Sequence, residues 1–195
     1  MKRIHYVILL ILMIAFVLLP LPSSDLLIKI QFSEVSDDSF ELYYALDNPN
    51  NFTSDQYISS SVDFKNKEAV FRLDKSYSKR LSGLRIDLPN TSSLIGITNI
   101  TVSSAGVIKK QYNPCDFFSE ENVIYTNNID SLTLATAKNT TYITTSGNDP
   151  FIILGDNLVS SIRNAYSNYR LTRLFICLFI LGTCFMKEIH IFKPD

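Results

Sequence analysis

The residues best suited to chemistry are an arginine and an aspartate that stand two positions apart, Arg85 and Asp87. Side chains alternate between the two faces of a β-strand, so these two would share one face, while Leu84, Ile86 and Leu88 take the other. A guanidinium and a carboxylate at this spacing form an exposed ion pair, or a polar patch that hydrogen-bonds a sugar or a protein partner. Both interpretations stay open at this point.

Tyrosine supplies the remaining candidates, because the chain has ten tyrosines and no tryptophan. A tyrosine ring combines an apolar face with a hydroxyl group, which suits contact with sugar rings. In a β-sandwich about half of any aromatic set is expected in the core instead. The candidate residues for contact with a glycan or a partner are Arg85, Asp87, Tyr43, Tyr57 and Tyr112.

Catalytic groups are scarce. The two histidines, His5 and His190, lie beside the apolar ends. The middle of the chain therefore lacks a histidine for a triad, a metal site or general-base catalysis near neutral pH. We expect no catalytic residues, no metal and no cofactor. The alternative is a sugar-modifying enzyme with a pair of loop carboxylates, for which the available residues are Asp37, Asp38, Asp87, Asp116, Glu120 and Glu121.

Composition excludes two further classes of protein. The net charge of −1 argues against nucleic acid as a partner, because nucleic-acid binding needs a concentrated basic surface. The three cysteines, Cys115, Cys177 and Cys184, have neither a CxxC motif nor paired spacing. They therefore indicate neither a zinc site nor a disulfide framework.

Residues 26–155 are predicted to form one strand-rich domain. Apolar residues occupy every second position in Ile28–Phe32 and in Phe40–Tyr44. Turn-forming residues separate such runs, for example in Asp47–Asn51 and Ser146–Pro150. About ten short strands at this spacing predict a mainly β fold, a jelly-roll-like β-sandwich, flanked by an N-terminal and a C-terminal transmembrane helix.

Residues 1–25 are predicted to be a signal-anchor that spans the membrane. Lys2 and Arg3 precede the uncharged stretch Ile4–Pro22, which is long enough to cross the hydrocarbon core of a bilayer. The positive-inside rule then places the N-terminus in the cytoplasm and the following domain outside. Because no Ala-x-Ala site follows, we favour an uncleaved anchor; a removed signal peptide is the alternative.

The C-terminal part is predicted to return to the membrane. Residues 156–173 have the apolar spacing of an amphipathic helix, with Asp156 as a natural N-cap, and we expect a juxtamembrane stalk. Residues 174–192 form a second transmembrane segment if the flanking Arg and Lys side chains reach the interface. The alternatives are a helix on the membrane surface or the opening of a larger membrane region.

Two segments resemble a known family. Leu84–Asn90, followed by Ile95–Val102, resembles a recurring L-R-[IL]-D-x-P … I-x-I-x-x-I-x-[VL] segment, and Phe71–Leu73 and Asn148–Phe151 fit the same layout. We associate this pattern with the extracytoplasmic β-sandwich of bacterial membrane proteins of surface-polysaccharide assembly, including multi-spanning glycosyltransferases. The resemblance covers residues 28–155 and implies a carbohydrate-module-like sandwich beside a membrane enzyme. The many-helix catalytic region of the glycosyltransferases has no counterpart in these residues, so transferase activity is not expected.

These observations predict a membrane-anchored, non-enzymatic β-sandwich outside the bacterial cytoplasmic membrane. The expected role is accessory to the assembly or modification of a cell-surface polysaccharide, of lipopolysaccharide or teichoic type. The expected partners are the lipid bilayer and either a lipid-linked glycan or a membrane glycosyltransferase. The competing hypotheses are the carboxylate-based enzyme and a structural membrane protein that binds another protein.

Overall fold

A computed structural model describes residues 13, 25–36, 39–104, 108–146, 148–167 and 175–179. The chain divides into two compact units, one of residues Ser23–Tyr166 and one of Met1–Pro22 together with Ser167–Asp195. The described part of the first unit is dominated by antiparallel strands, which confirms the predicted mainly β fold.

The described residues form eleven strands in two sheets. The strands are β1 Leu26–Glu34, β2 Ser39–Leu46, β3 Tyr57–Ser61, β4 Glu68–Leu73, β5 Leu81–Asp87, β6 Leu94–Ser104, β7 Ile108–Tyr112, β8 Val123–Asn127, β9 Ile129–Ala135, β10 Thr140–Thr145 and β11 Phe151–Leu154. A six-stranded sheet has the order β4-β1-β6-β10-β9, with β7 also paired to β6, and a five-stranded sheet has the order β3-β2-β5-β11-β8.

Alternating hydrophobicity decides which face of each strand is buried. In β1 the apolar residues at positions 26, 28, 30 and 32 are buried, and the residues between them are partly exposed. The same alternation buries Phe40 and Leu42 of β2 and leaves Glu41 and Tyr43 on the opposite face. Because β1 and β2 belong to different sheets, their buried faces meet, and the rings of Phe32 and Phe40 lie 5.1 Å apart. The first unit is therefore a β-sandwich around one apolar core.

Among the described residues of this unit, three segments are helical: α1 Lys75–Ser78, α2 Pro114–Phe117 and α3 Asp156–Ser167. The predicted amphipathic helix corresponds to α3, but it does not form a free-standing stalk. Its residues Leu158, Val159 and Ile162 are buried among the core residues of the sandwich. A stalk would leave this apolar stripe in water, so the stripe packs against the sheets instead.

The two apolar ends fall almost entirely outside the described residues, and so do the predictions made for them. Among the described residues, we find no helix that combines the length and the apolar character needed to span a bilayer. Met13 and residues 175–179 are helical. Cys177 is buried and its thiol lies 3.8 Å from the backbone carbonyl oxygen of Met13, so these two positions are in contact.

Candidate functional site

The pairing of the five-stranded sheet places four aromatic or charged side chains in one row across its outer face. Tyr43 of β2 is paired with Tyr57 of β3 on one side and with Arg85 of β5 on the other. Ile153 of β11 continues the row beyond Arg85, and Tyr125 of β8 ends it. Three residues predicted from the sequence, Tyr43, Tyr57 and Arg85, are therefore direct neighbours in space.

The parallel row beside it carries the carboxylates. Asp87 is paired with Glu41 on one side and with Phe151 on the other. Beyond these, Ser59 faces Glu41 and Asn127 faces Phe151, both without charge. We call the two rows, together with Asp149, the Arg85 face; its members are Tyr57, Tyr43, Arg85, Ile153, Tyr125, Ser59, Glu41, Asp87, Phe151, Asn127 and Asp149.

The aromatic rings and the guanidinium of this face form a continuous stack. The rings of Tyr57 and Tyr43 lie 5.3 Å apart and nearly parallel, at 24°. The central carbon of the Arg85 guanidinium lies 4.8 Å from the Tyr43 ring centroid and 3.9 Å from that of Phe151. Phe151 is in turn 5.8 Å from Tyr125. Cation–π attraction on both sides of Arg85 therefore links the two halves of the stack.

The predicted pair of Arg85 and Asp87 is a bidentate ion pair. The Arg85 Nε donates to one carboxylate oxygen of Asp87 at 2.6 Å, and Nη2 donates to the other oxygen. The two side chains are only 20% and 12% exposed, so the pair is more buried than expected for a sheet surface. Burial raises the pKa of Asp87, and the nearby carboxylates of Asp149 and Glu41 add to this rise, although Arg85 acts in the opposite direction.

Asp149 brings a third carboxylate to the same cation. Its Oδ1 lies 3.4 Å from Arg85 Nη2, and its side chain is 64% exposed. Asp149 has a φ of 60°, in the left-handed region that Asp and Asn tolerate better than most residues. Its backbone N–H donates to the side chain of Asn90, and its carbonyl accepts from Asn127. Two asparagines thus hold this turn in a conformation that directs the carboxylate towards Arg85.

Glu41 and Tyr43 form a further contact on this face. The Tyr43 hydroxyl donates to the Glu41 carboxylate, and both burial and this bond raise the pKa of Tyr43. Carboxylates therefore outnumber the guanidinium three to one around Arg85. The surface is rich in hydrogen-bond acceptors, and its only cation is already paired within it.

Tyr112, the fifth predicted residue, does not belong to this face. It lies on β7, which pairs with β6 in the six-stranded sheet. Its ring packs edge-on against Phe117 at 5.5 Å, and its hydroxyl donates to Ser161 of α3 at 3.3 Å. Tyr112 therefore joins a strand to the two helices and lies on a different sheet from Tyr43 and Tyr57.

The carboxylates nominated for catalysis are scattered. Asp87 ends strand β5 rather than occupying a loop. Asp116 lies exposed in α2, and Glu120 and Glu121 lie exposed in the turn that follows. Residues 37 and 38 lie outside the described residues. No group of three or more His, Cys, Asp or Glu side chains within the described part of the chain is arranged to hold a metal ion.

Four charged or aromatic members of the Arg85 face were not among the predicted site residues: Glu41, Tyr125, Asp149 and Phe151. The alternation of β2 would have placed Glu41 beside Tyr43 on the outer face. Asp149 and Phe151 lie in a segment noted only for its turn chemistry and its fit to a pattern. Their position beside Arg85 depends on the pairing of β5 with β11, which local sequence does not reveal.

A concave region lies where the loop after β2 approaches the start of α3. This open depression of about 400 Å³ is lined by Pro49, Asn50, Glu121, Ile124, Gly155, Asp156 and Asn157. Its two carboxylates lie at the surface, and its lining includes none of the predicted site residues. The Arg85 face therefore remains the best candidate site.

Comparisons with protein-family models, with curated proteins and with solved structures each returned no match for this chain.

Proposed function

We propose that this chain is an extracytoplasmic, membrane-anchored β-sandwich protein that binds a glycan through the Arg85 face. In this role it is accessory to the assembly or modification of a cell-surface polysaccharide. The observation that carries the proposal is the gathering of stacked tyrosines, a paired arginine and three carboxylates on one face of a sheet. On this view the sandwich is jelly-roll-like and the two ends are transmembrane helices.

The chemistry of the face suits sugar recognition. A sugar presents C–H groups that pack against aromatic rings and hydroxyls that donate to carboxylates. Tyr57 and Tyr125 are 44% and 54% exposed, so both rings are accessible. The acceptors beside them are fixed by the sheet register and by the Asp149 turn, which reduces the entropy lost on binding.

The described parts of the two ends support membrane anchoring. In residues 175–179 the small residue Cys177 is buried, whereas Phe175 and Phe179 are 68% and 73% exposed. Helices in membranes pack through small residues and turn large apolar side chains towards lipid. An exposed group of large apolar residues also needs a covering partner, for which a bilayer is suited.

The link to polysaccharide assembly rests on the resemblance of Leu84–Asn90 and Ile95–Val102 to the extracytoplasmic sandwiches of that machinery. The proposed partners are the lipid bilayer and a lipid-linked glycan or a membrane glycosyltransferase. The proposed mechanism is positional, because a sandwich held at the bilayer presents its face where such glycans are assembled.

Glycan binding can be tested with the full-length protein in detergent on an array of immobilised linear oligosaccharides. Tyr57→Ala and Tyr125→Ala should each weaken retention by about 2- to 10-fold, the value of one aromatic contact. Tyr77→Ala is the matched control, because Tyr77 is similarly exposed at 40% but lies on α1 and stacks on Tyr44. Equal losses in all three variants, or no retention by the wild type, would contradict the proposal.

Localisation needs separate experiments. Reporter fusions at residues 100 and 195 should place the first outside and the second inside the cell. In membranes treated with a thiol oxidant, a Met13→Cys substitution should form a disulfide with Cys177, because the Cys177 thiol lies 3.8 Å from the backbone of residue 13. Co-purification from solubilised membranes should recover an oligosaccharide or a glycosyltransferase; recovery of neither would remove support for the accessory role.

One observation favours an enzymatic alternative. Burial raises the pKa of Asp87, and the carboxylates of Glu41 and Asp149 lie near it. Glycosidases act through a pair of carboxyl groups. An Asp87→Asn variant that binds glycan normally but no longer alters it would support this alternative. Unchanged glycan in the presence of the wild type would exclude it.

A further inference from the structure

We propose that the Arg85 face selects glycan chains that carry amino groups, that it binds them running across the strands, and that it rejects polyanionic glycans. This inference rests on the proposed glycan binding and names its substrate class. It also removes teichoic-type and other polyanionic chains from the expected ligands.

The direction of the chain follows from which rings have a free face. Tyr43 lies between Tyr57 and Arg85, and Phe151 lies between Arg85 and Tyr125, so both faces of these inner rings are covered. The end rings, Tyr57 and Tyr125, each have one neighbour in this stack. They belong to the two edge strands of the sheet, about 19 Å apart at ~4.8 Å per strand spacing. Only an extended chain laid across the strands contacts both.

The charge preference follows from the surroundings of Arg85. The edge of the Arg85 guanidinium contacts the carboxylates of Asp87 and Asp149. Its two flat faces are covered by the rings of Tyr43 and Phe151. The side chain is 20% exposed. An anionic ligand would therefore have to displace existing partners to reach this cation, and it would approach the neighbouring carboxylates at the same time.

The accessible charge between the two end rings is negative. Asp149 is 64% exposed, and Glu41, on the other side of Asp87, is partly exposed. The flanking members of the carboxylate row, Ser59 and Asn127, carry no charge. Protonated amino groups on successive sugars would gain one charge-assisted contact at each of these two carboxylates, whereas a uronate or a phosphate would be repelled.

Three chains of equal length test this inference with the full-length protein in detergent: glucosamine hexamers, N-acetylglucosamine hexamers and galacturonate hexamers. Titration calorimetry at mildly acidic pH keeps the sugar amines protonated. The glucosamine chain should bind about fivefold more tightly than the N-acetylated chain, as expected for two exposed charge pairs, and this advantage should shrink with added salt. The galacturonate chain should bind most weakly.

Asp149→Asn and Glu41→Gln should each reduce, and together abolish, the preference for the glucosamine chain over the N-acetylglucosamine chain. Asparagine tolerates the left-handed backbone of position 149, so the first variant removes charge without disturbing the turn. Asp116→Asn is the matched control, because Asp116 is an exposed carboxylate outside this face. It should leave both affinities unchanged.

The outcomes separate this inference from the proposal beneath it. Equal or weaker binding of the glucosamine chain, together with tyrosine-dependent binding of the N-acetylated chain, overturns the charge preference but supports glycan binding. Binding of none of the three chains overturns both. A lysine hexamer that binds as tightly as the glucosamine chain would indicate a basic protein partner and would also overturn both.

Discussion

Replacing Arg85 with methionine removes the cation at the centre of the candidate site and keeps much of its apolar length. The Asp87 carboxylate, only 12% exposed, then loses both hydrogen bonds from the guanidinium. Removing one partner from a fully buried pair costs about 3–5 kcal/mol, and this pair is partly open to water, so we assign about 2 kcal/mol to it. The two cation–π contacts add about 1 kcal/mol. The expected loss in the free energy of unfolding is about 3 kcal/mol.

The loss should also depend on pH, which distinguishes it from lost packing. In the variant, the influence of Arg85 that lowers the pKa of Asp87 is gone, so burial raises this pKa further than in the wild type. A carboxyl group with a raised pKa in the folded state contributes stability that is fully present below its unfolded pKa. That contribution is lost as pH rises through the folded pKa. The difference between wild type and Arg85→Met should therefore be smallest near pH 4 and largest near pH 7.

Urea unfolding of the full-length protein in detergent measures this effect. Unfolding is monitored by the circular dichroism of the tyrosine side chains, because the chain has ten tyrosines and no tryptophan. Arg72→Met is the matched control: Arg72 is 69% exposed and 4.0 Å from Asp25, so its loss should cost less than about 1 kcal/mol. Asp87→Asn should cost at least about 1 kcal/mol less unfolding free energy in the Arg85→Met background than in the wild type, because the Asp87 carboxylate has already lost its partner there. A pH-independent loss below about 1 kcal/mol in Arg85→Met would refute the dependence of Asp87 on Arg85.

Three further predictions concern the scaffold and its response to acid. Gly83→Ala should destabilise the protein by about 1–3 kcal/mol in the same assay, because the added Cβ would lie 2.2 Å from the carbonyl oxygen of Pro49; a neutral result would contradict this close approach. Ile162→Ala should lower the free energy of unfolding by about 2–5 kcal/mol, because Ile162 of α3 is buried in the core. Asn157→Ala, at an exposed position of the same helix, should lower it by less than about 0.5 kcal/mol. Equal losses would support the predicted stalk instead. Hydrogen bonds from the following turn lower the pKa of Asp63. The ionised carboxylate therefore contributes to the stability of the fold above the unfolded-state pKa, and this contribution is lost as pH falls through the folded-state pKa. Asp63→Asn should therefore flatten the fall in stability between about pH 5 and 2, and an unchanged slope would count against this role.

Much of the fold was predictable from the sequence because its causes are local. Hydrophobic alternation places Ile28 and Ile30 inside and Lys29 outside, whatever strand lies alongside. The same rule places Arg85 and Asp87 on one face of β5, and the structure confirms this arrangement. The spacing of Leu158 and Ile162 predicts a helix with one apolar side, and both residues are buried.

The candidate site was predictable only in part, because its residues come from distant parts of the chain. Tyr43 and Tyr112 look alike in sequence, yet β2 belongs to the five-stranded sheet and β7 to the six-stranded one. Asp149 resembles an ordinary turn residue until the side chains of Asn90 and Asn127 hold it beside Arg85. The surface against which α3 packs could not be predicted either, because an apolar stripe can pack against a sheet or against a membrane.

The sequence by itself determined the strands, the buried face of each strand, and the shared face of Arg85 and Asp87. These follow from a periodicity of two residues along a single strand. Tertiary structure alone decided that Tyr43 and Phe151 enclose the Arg85 guanidinium and that Asp149 lies at its edge. The physical reason is that cross-strand neighbours are set by the pairing of β2, β5 and β11, which depends on the packing of the whole sandwich.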